Sequence, residues 1–177
     1  MTVLKTTPVQ RTPSFPPSTP SATAVKQDAP GVIAPPPLIY LAGLGIGFGL
    51  DALLPSASFP GWLAWSLGSV LLLGGLVLAA AFVRAFQRAG THVNPGRSAT
   101  TLVTTGPYRR SRNPGYLGMT LGYAGIAILS GALWALVPLV PTLFLIDRGV
   151  IRREERHLER RFGEQYTRYR ARTRRWI

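Results

Sequence analysis

The chain has 177 residues, of which 46% are hydrophobic, and it carries a formal net charge of +13 at pH 7. All 20 Lys and Arg residues lie within residues 1–26, 84–112 and 148–175, so apolar blocks alternate with basic flanks. That segregation is typical of membrane spans, and we expect no nucleic-acid partner despite the high charge. The chain contains no cysteine, which excludes disulfides and thiolate metal sites.

Residues 1–37 hold nine of the sixteen prolines, mixed with Ser, Thr and Ala. This composition cannot bury a core, so it predicts a disordered cytoplasmic tail ahead of a membrane domain at 38–177. Because no apolar segment precedes residue 38, we expect no cleavable signal peptide.

Four apolar segments follow in chain order and predict an all-α, polytopic membrane protein. The predicted spans are residues 38–54, 62–83, 114–130 and 132–147. The first contains alternate glycines at 43–49, which we interpret as a helix-packing surface rather than a nucleotide-binding loop.

The last two spans come from one apolar run of 31 residues, Tyr116 to Ile146. A single straight helix of that length would measure about 46 Å, against a hydrocarbon core of about 30 Å. A tight hairpin turning near Ser130-Gly131 instead places the basic segments 84–112 and 148–177 on one side. We therefore expect both termini in the cytoplasm, in a multi-pass protein of the bacterial inner membrane.

Residues 148–172 predict one basic helix whose apolar positions share a face. These positions are Leu158, Phe162, Tyr166 and Tyr169. Their spacing is typical of an amphipathic helix lying on a membrane surface. That interpretation does not explain Glu154 and Glu155, which point about 100° apart on a helix. One of them could face inward and bind an ammonium or hydroxyl group, or both could pair with nearby arginines.

A second group of polar residues lies where the third span begins. Asn113 and Pro114 predict an N-cap and a first helical residue, which would direct free N–H groups towards the cytoplasmic interface. Tyr108 and Tyr116 flank this turn and could pack on an adenine ring or a cation, or simply belong to the interfacial aromatic belt.

Three further polar residues are weaker candidates for a functional site. His92 and His157 lack ligand spacing, and we predict no metal site. Asp51 near the end of the first span is predicted to have a capping or interfacial role.

Several separated motifs share their order and spacing with a known superfamily. They are Leu102-Val-Thr-Thr-Gly-Pro-Tyr108, Arg112-Asn-Pro-Gly-Tyr116, Glu154-Glu155-x-x-Leu158, Phe162-Gly163-x-x-Tyr166-x-x-Tyr169 and Arg175-Trp176. Over residues 80–177 the chain resembles the isoprenylcysteine carboxyl methyltransferase and phospholipid methyltransferase superfamily. The resemblance implies an integral membrane methyltransferase that uses S-adenosyl-L-methionine.

The resemblance also implies a cofactor pocket in the cytoplasmic regions 89–116 and 148–177. Carried over by position, its lining residues are Thr100, Thr101, Leu102, Val103, Tyr108, Asn113, Pro114, Gly115, Tyr116 and Glu154. In many relatives a His stands where this chain has Asn113, which cannot titrate. Ungapped alignment puts Val150 where the prenylcysteine enzymes have a substrate-binding Arg, with Arg148 and Arg152 nearby.

The acceptor remains open at this stage. We predict a lipophilic acceptor entering from the bilayer, with Arg112, Arg148 or Arg152 holding its carboxylate or phosphate. Among the candidate reactions we favour carboxyl O-methylation of an isoprenylcysteine-type molecule. Methylation of an amine would need a base, and the sequence does not reveal one. The alternatives are N-methylation of a phosphatidylethanolamine-type headgroup, methylation of a thiol or small isoprenoid, and a non-enzymatic protein that binds anionic lipid. The sequence does not indicate the oligomeric state.

Overall fold

The protein is seen in a computed structural model that describes residues 33–55, 59–90 and 101–177. Most of the predicted tail 1–37, as well as His92 and Thr100, lies outside these ranges. The described chain is helical, as predicted. Its α-helices are α1 (Pro36–Leu53), α2 (Gly61–Arg88), α3 (Pro114–Leu129), α4 (Leu139–Ile146), α5 (Arg152–Phe162) and α6 (Glu164–Arg172). Short 3₁₀ turns occupy Gly106–Arg109 and Leu133–Leu136, and a π-helical turn occupies Asp147–Ile151.

By length and composition, three helical stretches in the described ranges could cross a membrane: Pro36–Leu53, Gly61–Arg88 and Leu133–Phe162. In the third stretch the apolar part ends at Ile151, because eight of the ten residues 152–161 are charged. α3 has only 16 residues and measures about 24 Å, less than a hydrocarbon core of about 30 Å. The fourth crossing, predicted at 114–130, therefore stays an expectation.

The predicted turn at Ser130-Gly131 is confirmed. Gly131 has a φ of 70°, which suits glycine. Its N–H donates to Ile128 O at 3.1 Å, and the N–H of Ala132 donates to Ala127 O at 3.0 Å. These two bonds form a Schellman motif, which ends α3 and turns the chain towards the last apolar segment.

Glycines allow the helices to approach closely. A Cβ on Gly125 of α3 would lie 2.6 Å from Leu72 N of α2, and one on Gly75 would lie 2.7 Å from Gly118 O. Gly47 of α1 packs directly on Ala135, whereas Gly45 has no neighbour within 4 Å. The predicted packing role of the glycines at 43–49 is thus confirmed for the face of α1 that contains Gly47.

The C-terminal region differs from the single helix predicted over 148–172. The π turn 147–151 comes first, and Gly163 then separates α5 from α6. Gly163 adopts a φ of 51°, a value that side chains disfavour, and its N–H donates to Glu159 O at 2.9 Å. The prediction was wrong because a period of apolar residues does not reveal a break at one glycine.

Asp51 lies at the opposite end of the molecule from these C-terminal helices. Its carboxylate accepts the N–H of Trp134 at 3.3 Å, in the 3₁₀ turn Leu133–Leu136. The indole N–H of Trp134 donates to Pro55 O at 2.9 Å. Asp51 therefore fastens the end of α1 to the hairpin, in agreement with the predicted capping role.

Candidate cofactor and acceptor site

The site is centred on a hydrogen bond between α3 and α5. The hydroxyl of Tyr116, in the first turn of α3, donates to Glu154 Oε1 at 2.7 Å. Tyr40 from α1 supports this arrangement, because its hydroxyl donates to Tyr116 O at 3.2 Å and contacts Thr120 Oγ1 at 2.9 Å. Three helices therefore fix the position of one tyrosine ring and the carboxylate beside it.

Glu154 is a carboxylate in an unfavourable environment. Burial raises the pKa of its carboxyl from 4.5 to about 7, against the opposing effect of the Tyr116 hydrogen bond, and the charge of Glu155 adds to the increase. The ion pairs described around this site involve Glu155 and Asp147. A cation placed beside Glu154 would relieve this unfavourable burial.

Glu155 has the opposite environment. Arg175 donates to both of its carboxylate oxygens, from Nη2 to Oε2 at 2.7 Å and from Nε to Oε1 at 3.3 Å. Arg112 Nη2 lies 3.4 Å from Oε1 of the same group. Glu155 therefore pairs with arginines, one of the two predicted alternatives, whereas the binding of a ligand group by Glu154 stays a prediction.

Asn113 occupies the N-cap position of α3, but its side chain forms no capping bond. Its amide Nδ2 instead donates to Arg175 O at 3.0 Å, and the N–H of Arg112 donates to Arg174 O at 2.9 Å. The expectation of a capping Asn side chain was wrong, because the bond from Nδ2 to the C-terminal segment orients the side chain away from the helix N–H groups. Asn113 joins α3 to that segment.

Tyr108 lies in an aromatic cluster beneath the site. Its ring is 6.2 Å from that of Phe82 and 5.9 Å from that of Phe86, both on α2. Tyr169 of α6 donates from its hydroxyl to Tyr108 O at 2.8 Å. Burial, followed by the charge of Glu154, raises the pKa of Tyr108 well above its usual value, so this phenol stays neutral.

The other residues predicted to line the pocket differ in burial. Pro114 is fully buried, Val103 is buried, and Thr101 is exposed. A Cβ on Gly115 would lie 3.0 Å from the ring of Phe82, so α3 starts in close contact with α2. Within the described ranges no hydrogen bond joins residues 101–103 to Tyr116 or Glu154. Their role as cofactor residues remains a prediction.

The three candidate positioning arginines have different environments. The atoms Nε and Nη1 of Arg112 are buried without a hydrogen-bond partner among the described residues. Arg152 donates to Asp147 Oδ2 at 2.9 Å, and Arg148 lies 3.8 Å from the same oxygen. Val150, at the aligned position of the missing Arg, is completely buried in the core.

Sequence reasoning missed two contributors to this region. Tyr40 was hidden in an apolar span, although a lone polar aromatic there is itself a signal of an internal hydrogen bond. Asp147 was missed at the edge of the last span, where it accepts from Arg175 Nη1 at 3.3 Å as well as from Arg152. A carboxylate one residue beyond an apolar run, next to arginines, was the available signal.

The fold and site together define a helical membrane protein with a polar site where its helices emerge from the apolar region. A profile of the family described as phospholipid methyltransferase matches residues 63–165. The chain belongs to the phospholipid methyltransferase family, which is part of the superfamily that its motifs resemble.

One curated relative matches a shorter region. The nickel-cobalt-cadmium resistance protein NccN of Alcaligenes xylosoxydans xylosoxydans is 36% identical over 69 residues, which are 39% of this chain and 32% of that protein. The match therefore spans about a third of the length of that relative. No solved structure matches the chain.

Proposed function

We propose that the protein transfers a methyl group from S-adenosylmethionine to a lipophilic acceptor at the cytoplasmic membrane interface. Membership of a methyltransferase family supports the reaction class. The single observation that carries the cofactor assignment is Glu154, a partly buried carboxylate that accepts from Tyr116 and whose pKa is raised by burial to about 7.

The chemistry of this site suits the amino-acid end of the cofactor. In the proposal Glu154 binds the ammonium group, and Tyr116 holds the carboxylate of Glu154 in place through its 2.7 Å hydrogen bond. Residues Tyr108, Asn113, Pro114, Gly115 and 100–103 are proposed to line the rest of the pocket. Their contribution would be shape and the exclusion of water.

S-adenosylmethionine supplies an activated methyl group on a positively charged sulfur, so the protein mainly has to align the acceptor and keep water out. The rigid contact between Tyr116 and Tyr40 serves alignment, since it ties the site to α1 inside the apolar region. The aromatic cluster of Tyr108 with Phe82 and Phe86 provides an apolar wall on the side of α2.

Arg112 is our preferred residue for positioning the acceptor. Two of its guanidinium nitrogens are buried and unpaired within the described ranges, and leaving such donors unsatisfied is costly. A carboxylate or phosphate would satisfy one of these donors through a charge-assisted hydrogen bond, since the N–H bonds of Nε and Nη1 point to different sides of the guanidinium. We therefore favour an anionic, lipid-soluble methyl acceptor, such as the carboxylate of an isoprenylcysteine-type molecule.

N-methylation of an aminophospholipid is the second candidate. It requires a group that removes a proton from the amine. Glu154 supplies the observation in its favour, because a carboxyl with a pKa of about 7 can accept a proton near neutral pH. In this alternative Glu154 faces the acceptor amine rather than the cofactor.

The deciding experiment is incubation of the reconstituted protein with methyl-labelled S-adenosylmethionine and a panel of acceptors. The panel contains prenylcysteines, aminophospholipids and small isoprenoid thiols, each presented in the same vesicles. We expect label in a base-labile ester of the prenylcysteine fraction. Label in the aminophospholipid fraction would select the second candidate, and no label in any fraction would contradict methyl transfer to lipophilic acceptors.

A further inference from the structure

A groove of about 390 Å³ lies between the first half of α1 and α4. Thr142 is the only residue with a polar side chain among those that line it, and the others include Leu38, Ala42, Ile46 and Leu145. Its volume is within the range of about 300–1,000 Å³ that is usual for small-molecule sites. Leu145, which lines the groove, and its neighbour Phe144 are exposed, at 50% and 58%.

Two arginines follow the groove at its C-terminal end. Pro141 and Leu145 line the groove, Arg148 follows Leu145 by three residues in the π turn Asp147–Ile151, and Arg152 follows that turn directly. The guanidinium of Arg148 lies 4.9 Å from the centre of the Phe144 ring. The Arg148 side chain stacks on Phe144 next to the groove-lining Leu145 and is 55% exposed, so its charge is accessible to a ligand.

We propose that this groove binds one acyl chain of an anionic phospholipid, and that Arg148 and Arg152 hold the phosphate. The lipid belongs to the leaflet next to α5 and α6, where the helices become charged. An apolar groove with basic residues at its headgroup end matches the two parts of such a lipid.

The charge around Asp147 favours an anionic lipid over a neutral one. Asp147 is in contact with Arg148 at 3.8 Å, Arg152 at 2.9 Å and Arg175 at 3.3 Å. Glu155 also pairs with Arg175 and Arg112, so four guanidinium groups share two carboxylates in this network and two positive charges are in excess. Arg148, whose contact is the longest, keeps most of its donors available for a phosphate.

The groove is separate from the Tyr116–Glu154 site. Leu38, Ala42 and Ile46 line it from one side of α1, whereas Tyr40 points to the core and to Tyr116 from another side. The proposal concerns a bound lipid that is not methylated, and it stands whether or not the proposed acceptor is right.

The test counts phospholipids that stay bound to the purified protein in mild detergent, by native mass spectrometry. Phosphatidylglycerol and phosphatidylcholine with identical acyl chains are supplied in equal amounts. We expect the unaltered protein to retain phosphatidylglycerol roughly thirtyfold better, as for about 1 kcal/mol from each of two interfacial charges. Equal retention of the two lipids would overturn the proposal.

Two variants and two matched controls locate the site. The double variant Arg148→Gln and Arg152→Gln should lose the preference for phosphatidylglycerol. Ala42→Phe fills the groove and should reduce retention of both lipids. Arg168→Gln, on α6, and Ala52→Phe, at the far end of α1, change exposed residues outside the groove and should leave retention unchanged. If Ala42→Phe does not fold, the double variant of Arg148 and Arg152 tests the proposal by itself. An undiminished preference of that double variant for phosphatidylglycerol would contradict the proposal.

Discussion

Arg175 and Glu155 form a two-point contact in which the guanidinium donates to both carboxylate oxygens, at 2.7 and 3.3 Å. The same arginine reaches Asp147 through Nη1, and its carbonyl accepts from Asn113. One residue near the C-terminus therefore connects the end of the last apolar segment, α5 and the start of α3. The Tyr116–Glu154 site lies between the elements that it connects.

Replacing Arg175 with Gln should destabilise helices α5 and α6 by about 2 kcal/mol, because the largely buried Glu155 loses its bidentate partner. Arg168→Gln is the matched control, since Arg168 forms an exposed pair with Glu164 and should cost less than about 0.5 kcal/mol. Amide hydrogen exchange of residues 152–172 reports the difference. Equal exchange in the two variants would show that Arg175 does not hold the site together.

The raised pKa of Glu154 makes stability depend on pH. Its folded-state pKa of about 7 exceeds the ordinary value of 4.5, so the folded protein binds an extra proton between these values. The resulting stabilisation is complete below pH 4.5 and is lost as the pH rises through 7. The melting temperature of the ligand-free protein, relative to Glu154→Gln, should therefore fall between pH 5 and pH 8. A constant difference would contradict the shifted pKa.

Close packing of α2 against α3 depends on glycine at position 125. An added methyl group in Gly125→Ala would collide with backbone atoms of Leu72 and Gly68, at 2.6 and 2.9 Å. We expect a loss of about 1–3 kcal/mol from overpacking. Gly74→Ala on α2, where nothing lies within 4 Å, should be neutral or slightly stabilising. Thermal unfolding in detergent compares the two, and equal melting temperatures would refute this packing.

Asp51 should matter as a hydrogen-bond acceptor rather than as a charge. Asp51→Ala removes the acceptor for the N–H of Trp134 and should cost about 1 kcal/mol. Asp51→Asn keeps an oxygen in the same place and should restore most of that loss. If the Asn variant is as unstable as the Ala variant in thermal unfolding, the negative charge itself is what matters.

The sequence predicts the helices well, because apolar runs and basic flanks reflect the energetics of a bilayer directly. The turn at Gly131 followed from length and charge placement, and the superfamily followed from motifs in a fixed order. The break at Gly163 and the π turn at Asp147 could not be predicted in this way, since both depend on local backbone geometry within a helical pattern.

The candidate site was predictable in part. Glu154 and Tyr116 were both selected from the sequence, and the structure places their side chains in contact. Which of the two acids pairs with arginines was not predictable, because it depends on where Arg112 and Arg175 lie in three dimensions. Asn113 shows the same limit, since its preference for an N-cap was overridden by a tertiary hydrogen bond to Arg175.

The central claim is that Glu154 binds the cofactor, and equilibrium binding of S-adenosylmethionine tests it most directly. The measurement uses the protein in lipid nanodiscs at pH 8, where Glu154 is ionised, with Glu154→Gln and the exposed control Glu164→Gln. We predict equal affinity for the unaltered and control proteins. Glu154→Gln should bind about tenfold more weakly or worse, as for loss of a charged hydrogen bond of about 1.5–3 kcal/mol. Undiminished binding by Glu154→Gln, or no binding by the unaltered protein, would contradict the claim.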